Sequence, residues 1–232
     1  MNRNVSNMIN YILDNWLPPV MRDNKILMAI MLRLAVGKKY RYYMQFKDRL
    51  PSMTEKEINQ YYTLLSDTFI PRDTDLNKAC IQKILSEAEG KTILDAAAGK
   101  GYMARLLYAH NKSLQVTASD IVLPDKKNQA DGIRYVSASL TQLPFEDNSF
   151  DTVICTHALE HIKDVDTALK ELRRVCRRKL IIVIPRQREY RYTFDLHINF
   201  YPYQYKVETL LKSNASIELL DNDWMCIEYK KQ

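Results

Sequence analysis

The sequence lacks the features that mark several large classes of protein. Its four cysteines lie far apart and form no C-x-x-C pair, so their spacing suggests neither a zinc site nor a disulfide framework. The longest apolar run, residues 26–36, is interrupted by Arg33. As a helix it would rise about 16 Å, well short of a hydrocarbon core of about 30 Å. Residues 2–12 do not have the pattern of a secretory signal, and we therefore expect a cytoplasmic protein.

Glycine is also scarce, with five residues in 232, while charge is plentiful and unevenly placed. The net charge is +6, and residues 1–60 carry ten Lys and Arg against five Asp and Glu. A second basic cluster spans residues 173–191. Such clusters suit nucleotides, anionic lipid heads or nucleic acid, and they also occur as ordinary solvated surface. Charge alone does not separate these alternatives.

Two sequence patterns meet near Gly90. Before it, apolar residues recur at helical spacing over residues 8–16, and Thr54 with Glu57 forms a capping box that predicts the start of another helix. A further helix is predicted over residues 76–89. We therefore predict an N-terminal helical cap or lid over residues 1–89. The apolar segment 26–36 has basic flanks and suits packing against the rest of the chain, a dimer contact, or peripheral contact with a membrane.

From residue 90 to residue 232, short β-rich runs alternate with helical ones. This alternation predicts an α/β domain with a doubly wound, mostly parallel, seven-stranded Rossmann-like sheet. The last two strands are too close for a helical crossover and should form an antiparallel hairpin. The predicted strands are 92–94, 115–118, 133–136, 152–155, 180–184, 216–220 and 225–229, and the predicted helices are 102–110, 165–175 and 204–211.

The clearest local signal follows the first of these strands, where Asp95-Ala-Ala-Ala-Gly99-Lys-Gly101 leads into a helix. Small residues there allow a ligand to approach the backbone closely. Asp95 at the strand end disfavours a phosphate and suits a cationic or hydroxyl-rich ligand. Asp120 ends the next strand, where a carboxylate can accept hydrogen bonds from a ribose diol.

These two segments, followed by Leu143-Pro144-Phe145 through Phe150-Asp151 and by His157-Ala-Leu-Glu160-His161-Ile162, resemble the ordered motifs of class I S-adenosylmethionine-dependent methyltransferases. The resemblance covers residues 92–211 and is nearest to the type 11 branch, which includes quinone-biosynthesis enzymes. It implies a methyltransferase with S-adenosylmethionine as cofactor. By position, the loop after Asp95 would wrap the methionine moiety, Asp120 would hold the ribose, and Ile121 would pack on adenine. The implied cofactor-binding residues are Asp95, Ala96, Ala97, Ala98, Gly99, Gly101, Asp120, Ile121, Ser139, Leu140, Thr156 and His157.

Two positions depart from the family pattern. Ala97 stands where the family has a loop glycine, and Ser139 stands where the third strand normally supplies an acid for the adenine amine. Among the histidines, His157, His161 and His197 are candidate catalytic residues, because a neutral imidazole near pH 7 can accept a proton from a substrate hydroxyl. The same residues with Glu160 also suit a structural network or a divalent ion. We predict no metal.

The leading hypothesis is O-methylation of a small-molecule or carrier-linked acceptor, such as a sugar, a glycan or a quinol. A second hypothesis is an RNA or DNA methyltransferase whose basic clusters track phosphates, although no Asp/Asn-Pro-Pro-Tyr/Phe motif follows the fourth strand. A third is a partner subunit that binds the cofactor without catalysis, which Ala97 and Ser139 favour.

Overall fold

The computed structural model describes residues 16–65, 68, 73–192, 194–212 and 214–230. The helical spacing predicted at residues 8–15 lies outside them. The chain forms two compact units, Met1–Arg72 with Gln187–Phe200, and Asp73–Arg186 with Tyr201–Gln232. This division departs from the predicted boundary at residue 90, because residues 78–87 belong to the second unit and 187–200 to the first. Tyr192 and Leu196 are buried in the first unit's core, which explains why their segment folds with the N-terminal helices.

The first unit consists of α1 (Pro19–Arg22), α2 (Lys25–Val36), α3 (Tyr40–Arg49) and α4 (Glu55–Leu65). Asn24 starts α2, because its side chain accepts hydrogen bonds from the N–H groups of Ile26 and Leu27, both at 3.0 Å. The predicted capping box starts α4: Thr54 N–H donates to Glu57 Oε2 at 2.7 Å, and Glu57 N–H donates to Thr54 Oγ1 at 3.3 Å. Buried side chains of all three longer helices form the core of this unit.

The second unit is built on a seven-stranded sheet. Its strands are β1 (Thr92–Ala96), β2 (Gln115–Asp120), β3 (Ile133–Ser137), β4 (Phe150–Thr156), β5 (Cys176–Pro185), β6 (Ser216–Leu220) and β7 (Asp223–Tyr229). Their order is β3-β2-β1-β4-β5-β7-β6. The first five strands are parallel, and β7 runs antiparallel to both β5 and β6. The predicted doubly wound sheet and the C-terminal hairpin are therefore confirmed.

Helices α5 (Lys78–Glu87), α6 (Tyr102–His110), α7 (Val165–Val175) and α8 (Gln204–Leu211) complete this unit. The last three have the predicted bounds, whereas α5 is shorter at both ends than the predicted 76–89. Its N-terminus is fixed by Asn77, whose Oδ1 accepts from Cys80 N–H at 2.8 Å. Two apolar cores cover the two sheet faces. Successive side chains of a strand point to opposite faces, so Ile93 belongs to one core and Leu94 to the other.

All four cysteines are buried and free. Among the described residues, no helix is long and apolar enough to cross a membrane.

Candidate active site

The strand order of the sheet reverses between β1 and β4. From β1 the chain builds outward through β2 and β3, and then returns to place β4 on the other side of β1. The carboxyl ends of β1 and β4 lie side by side, with Ala96 paired to Cys155. In open α/β sheets this reversal leaves a crevice outside the strand ends, where ligands bind. The residues singled out from the sequence at 95–101, 120, 139 and 156–157 follow or end strands at this edge.

The loop that leaves β1 is held in a conformation that side chains disfavour. Ala97, Gly99 and Gly101 have φ angles of 57°, 54° and 73°. Glycine adopts such angles freely, but at Ala97 they cost about 1–2 kcal/mol. Ala98 N–H donates to the carbonyl of Ser119 at 2.9 Å, which ties the loop to the end of β2. The family glycine missing at position 97 is therefore replaced by an alanine in the left-handed region.

Asp95 is a buried carboxylate with unused hydrogen-bonding capacity. Asp95 is 1% exposed. Oδ2 accepts from Ala104 N–H at 2.9 Å, on the first turn of α6, whereas Oδ1 has no hydrogen-bond partner among the described residues. Burial, together with the nearby charge of Asp120, raises the pKa of Asp95 to about 7. A cation at Oδ1 would offset the free-energy cost of burying the ionised carboxylate.

Asp120 connects the end of β2 to the loop after β1. Its Oδ2 accepts from Gly99 N–H at 2.8 Å, and its Oδ1 accepts from Val122 N–H at 3.1 Å. Burial raises the pKa of Asp120 as well. Each carboxylate oxygen can accept a second hydrogen bond, so both keep capacity for a ligand. Ile121 follows with 42% of its surface exposed, as expected for a residue that packs on a ligand.

After β3, Ser139 shapes a local turn. Its hydroxyl lies 2.9 Å from that of Thr141 and accepts from Thr141 N–H at 3.3 Å. Leu140 is 4% exposed and belongs to the core on one sheet face. The hydroxyl of Ser139 is thus used within the protein, and no acidic side chain replaces the one that the family carries there.

His157 follows Thr156 at the end of β4 and lies between two carboxylates. Its backbone is in the left-handed region, with φ 48°, and its N–H donates to Val183 O at 2.8 Å. Its ring nitrogen Nδ1 lies 3.7 Å from Oε1 of Glu160, and Nε2 lies 3.3 Å from Oδ1 of Asp223. Burial alone would lower the pKa of His157, but the Asp223 and Glu160 carboxylates raise it to about 9. The two carboxylates therefore favour the protonated form of His157, in contrast to the neutral imidazole expected from the sequence.

Glu160 is the least satisfied acid of the second unit. It is 1% exposed, and neither carboxylate oxygen accepts a hydrogen bond from any other residue that the structure describes. A ligating atom of His161 lies within 4.8 Å of a Glu160 carboxylate oxygen. Burial raises the pKa of Glu160 to about 7. The conformation of the loop after β4 thus gathers His157, Glu160 and His161 in one cluster.

Asp223 and Asn77 join this cluster although the sequence did not single them out. Asp223 begins β7, and Asn77 Nδ2 donates to its Oδ2 at 2.8 Å. The signal available in the sequence was the predicted hairpin. A strand that returns antiparallel to β5 brings its first residue to the carboxyl edge of the sheet, and the pairing of Pro185 with Asp223 does so.

His197 lies in the first unit and is 8% exposed. Its Nδ1–H donates to Oε1 of Gln187 at 2.5 Å, and the Gln187 amide donates to the hydroxyl of Tyr190 at 2.5 Å. His197 therefore has a hydrogen-bonding role within its own unit. Tyr190 and Tyr192 of the same segment are each 3% exposed, as core residues are.

The basic cluster of residues 173–191 is largely paired within the protein. Two of its arginines form bidentate contacts, Arg173 with Glu228 and Arg174 with Glu171. Asp151 accepts from Arg177 at 2.5 Å and lies 3.3 Å from Arg178 Nε. Arg191 lies 3.2 Å from Asp48. These guanidinium groups hold the protein's own carboxylates, which leaves less charge to follow a nucleic-acid backbone.

Comparison with known proteins agrees with this geometry. Residues 94–184 match a family model described as a methyltransferase domain. The chain is 36% identical over 100 residues to a ubiquinone/menaquinone biosynthesis C-methyltransferase of Brucella anthropi, covering 39% of this chain and 38% of the relative. It is 31% identical over 153 residues to a demethylmenaquinone methyltransferase of Thermotoga maritima, covering 64% and 62%. The matches thus span less than two thirds of these relatives.

The fold also matches a solved structure. The 1,6-didemethyltoxoflavin-N1-methyltransferase of Burkholderia thailandensis, with S-adenosylhomocysteine bound, has a TM-score of 0.57 and 16% identity, covering 76% of this chain and 88% of that one. Family model, relatives and fold therefore agree with the motifs at the carboxyl edge of the sheet. Over residues 94–184 the chain is therefore similar to methyltransferase domains of the type 11 branch, and the relatives it matches are named as methyltransferases.

Proposed function

We propose that the chain transfers a methyl group from S-adenosylmethionine to a small-molecule or carrier-linked acceptor, with a hydroxyl oxygen as the accepting atom. The observation that carries the proposal is the buried Asp95 carboxylate, whose Oδ1 has no hydrogen-bond partner among the described residues. It lies at the start of the loop whose Gly99 N–H donates to Asp120. Burying a carboxylate without a partner is costly, and a bound cation offsets that cost.

The residues at this edge fit the cofactor by their chemistry. The cofactor supplies a methyl group made electrophilic by its bond to a positively charged sulfur. In our proposal, Asp95 accepts from the ammonium group, Asp120 accepts from the ribose hydroxyls, and the exposed Ile121 packs on the adenine ring. The left-handed loop gives backbone access that bulkier side chains would block. Leu140, Thr156 and the remaining loop positions stay predictions as cofactor contacts.

For the acceptor, the ionisable groups after β4 suit the removal of a hydroxyl proton. A histidine with a pKa of about 9 does not take a proton at pH 7, but its charge stabilises a developing oxyanion. In our proposal Glu160, whose pKa burial raises to about 7, accepts the proton. We therefore assign the proton to Glu160 and the electrostatic stabilisation to His157, instead of assigning proton removal to a neutral histidine.

Carbon is the second candidate for the accepting atom. Two relatives are named as quinone-pathway methyltransferases, one of them as a C-methyltransferase. A quinol hydroxyl that loses its proton also activates the neighbouring ring carbon, so the same groups after β4 suit either product. The two are separated by identifying the methylated atom by NMR after reaction with a demethylmenaquinol analogue and with a simple catechol.

The first test is calorimetric titration with S-adenosylhomocysteine. We expect micromolar binding by the wild type and a loss of roughly tenfold to a hundredfold in Asp120→Asn, because a charge-assisted hydrogen bond contributes about 1.5–3 kcal/mol. Asp125→Ala is the matched control, since this exposed acid lies five residues further on. Failure of the wild type to bind would contradict the proposal. Binding without turnover of any acceptor would instead favour the non-catalytic partner subunit.

A Glu160→Gln variant tests the proton assignment separately. It keeps the shape of the side chain and removes its basicity. We expect kcat to fall by roughly 10²-fold or more, with KM and S-adenosylhomocysteine affinity little changed. The acidic limb of the kcat pH profile should disappear with it. A profile identical to that of the wild type would remove Glu160 from the mechanism.

A further inference from the structure

Helix α2 buries one face and exposes the other. Met28 and Leu32 are 1% and 0% exposed in the core of the first unit. On the opposite side Ile26, Ile30 and Leu34 are 73%, 54% and 84% exposed. These three residues, four positions apart, form one row along the helix, which we call the aliphatic row. Three large side chains in a row on a solvated helix are more than isolated exposed residues, which are common.

The charged residues on α2 and directly after it, Lys25, Arg33, Lys38 and Lys39, are all basic. Between Asp23 and Asp48 the chain carries six basic residues and no acidic one. Arg33 follows Ile26 by seven residues and Ile30 by three, so it shares the face of the row. Lys25 and Lys38 lie exposed at the two ends of α2. The row is therefore an apolar strip bordered by exposed basic residues, with the acidic Asp23 before its N-terminal end.

The combination of aliphatic and basic side chains discriminates between the partners that could cover the row. Two copies of the row placed face to face would bring the basic groups of both together, which disfavours a dimer contact. An anionic lipid surface instead offers an apolar layer below a negatively charged one. A helix with aliphatic residues on one side and Lys and Arg beside them lies in such an interface. Trp16, which is 76% exposed shortly before α2, belongs to the residue types enriched at membrane interfaces.

We propose that the aliphatic row and its basic border dock the first unit on a membrane surface that contains anionic lipids. With 12 residues, α2 would lie along the surface, because its length of about 18 Å is too short to span the hydrocarbon core. The inserted side chains supply apolar burial, and the basic residues supply attraction that weakens with salt. This proposal is independent of the methyl acceptor.

The test is flotation of the full chain with vesicles of equal parts phosphatidylglycerol and phosphatidylcholine, against vesicles of phosphatidylcholine alone. We expect binding to the anionic vesicles that falls with rising salt. The double variant Ile30→Glu with Leu34→Glu should lose binding by about tenfold or more, and so should Arg33→Glu with Lys38→Glu. Leu219→Glu, at a half-exposed position in the second unit, is the control and should bind as the wild type does.

Circular dichroism melting of each variant checks that the fold is retained, and it should be, since all changed side chains are exposed. Absence of wild-type binding to anionic vesicles would overturn the proposal. So would equal binding by the aliphatic-row variant. A wild type that sediments as a dimer, dissociates in the aliphatic-row variant and ignores vesicles would show that a second copy covers the row.

Discussion

The ring nitrogen Nε2 of His157 lies 3.3 Å from Oδ1 of Asp223, across a sheet in which their strands are not neighbours. His157 follows β4 and Asp223 begins β7, with β5 between them. Asn77 fixes the far oxygen of Asp223, and the same side chain caps α5. Asn77 therefore couples the position of α5 to the charge of Asp223 beside His157. The protonation of His157 depends on Asp223, which lies 66 positions away in the sequence.

We predict that His157 titrates near pH 9 and that Asp223→Asn moves its midpoint down by at least about one unit, because the nearer carboxylate is lost. Histidine NMR signals followed from pH 5 to pH 10 measure both midpoints. The folded pKa lies above the value of 6.5 for a free histidine, so the stabilisation is present below pH 6.5 and is lost as the pH rises through 9. Asn77→Ala, which keeps the charge, should shift the midpoint less. A wild-type midpoint near 6.5 would refute the prediction.

Asp95 should make cofactor binding depend on pH. Its folded pKa of about 7 lies above its ordinary 3.8, so the ligand-free protein loses stability as the pH rises from about 4 to 7. An ammonium group at Oδ1 binds only the ionised form. S-adenosylhomocysteine affinity should therefore rise roughly tenfold from pH 6 to pH 8, with proton release seen by calorimetry in two buffers of different ionisation enthalpy. Asp95→Asn should bind weakly and without this dependence; a pH dependence that survives in the variant would assign it to another group.

The fold could be predicted from the sequence because its signals are local. Strand and helix periods placed all seven strands, and the short link after Leu220 indicated the hairpin that the structure has at Asp221 and Asn222. Six of the seven strands were predicted one to four residues short at one or both ends, since residues such as those at the ends of β1 and β5 are buried by neighbouring strands, whereas β6 has the predicted bounds. Asp95 and Asp120 were found because each ends a strand in the predicted order.

Other features depend on contacts between distant segments, which carry no local signal. Asp223 is buried beside His157 only because β7 lies next to β5, and a lone acid in a predicted turn does not reveal that neighbour. The sequence showed the basic cluster of residues 173–191, but not the distant carboxylates of Glu228 and Asp151 that pair with Arg173 and Arg177. Residues 187–200 fold with the N-terminal helices, although the sequence placed them in the domain that begins at residue 90.

Gly90 should tolerate no side chain. It has a φ of +82°, and a Cβ there would lie 2.2 Å from the Cβ of Asp151. Asp151 cannot move away easily, since it accepts hydrogen bonds from Lys91 N–H at 2.8 Å and from Arg177. We expect Gly90→Ala to cost roughly 2–4 kcal/mol of unfolding free energy by urea denaturation. Gly37→Ala, with φ +59°, ψ −134° and open space around the new Cβ, should cost less, roughly 1–3 kcal/mol from backbone strain alone. Equal losses of unfolding free energy in the two variants would mean that backbone strain, and not the contact with Asp151, causes the destabilisation.

Arg174 distinguishes a structural arginine from one that binds nucleic acid. Its guanidinium donates to the carbonyls of Phe145 at 2.7 Å and Leu143 at 2.9 Å, and to Glu171, so it ties the segment before β4 to α7. Arg174→Ala should lower the unfolding free energy by about 2 kcal/mol, because these acceptors lose a charged donor. It should also make residues 143–149 more sensitive to protease. Arg188→Ala, at an exposed arginine of the same basic cluster, should change neither the stability nor the protease sensitivity.

The contrary outcome is that both variants keep their stability and lose affinity for RNA, with a reduced dependence of binding on salt. The cluster would then be a phosphate-binding surface, and the nucleic-acid hypothesis would replace the small acceptor.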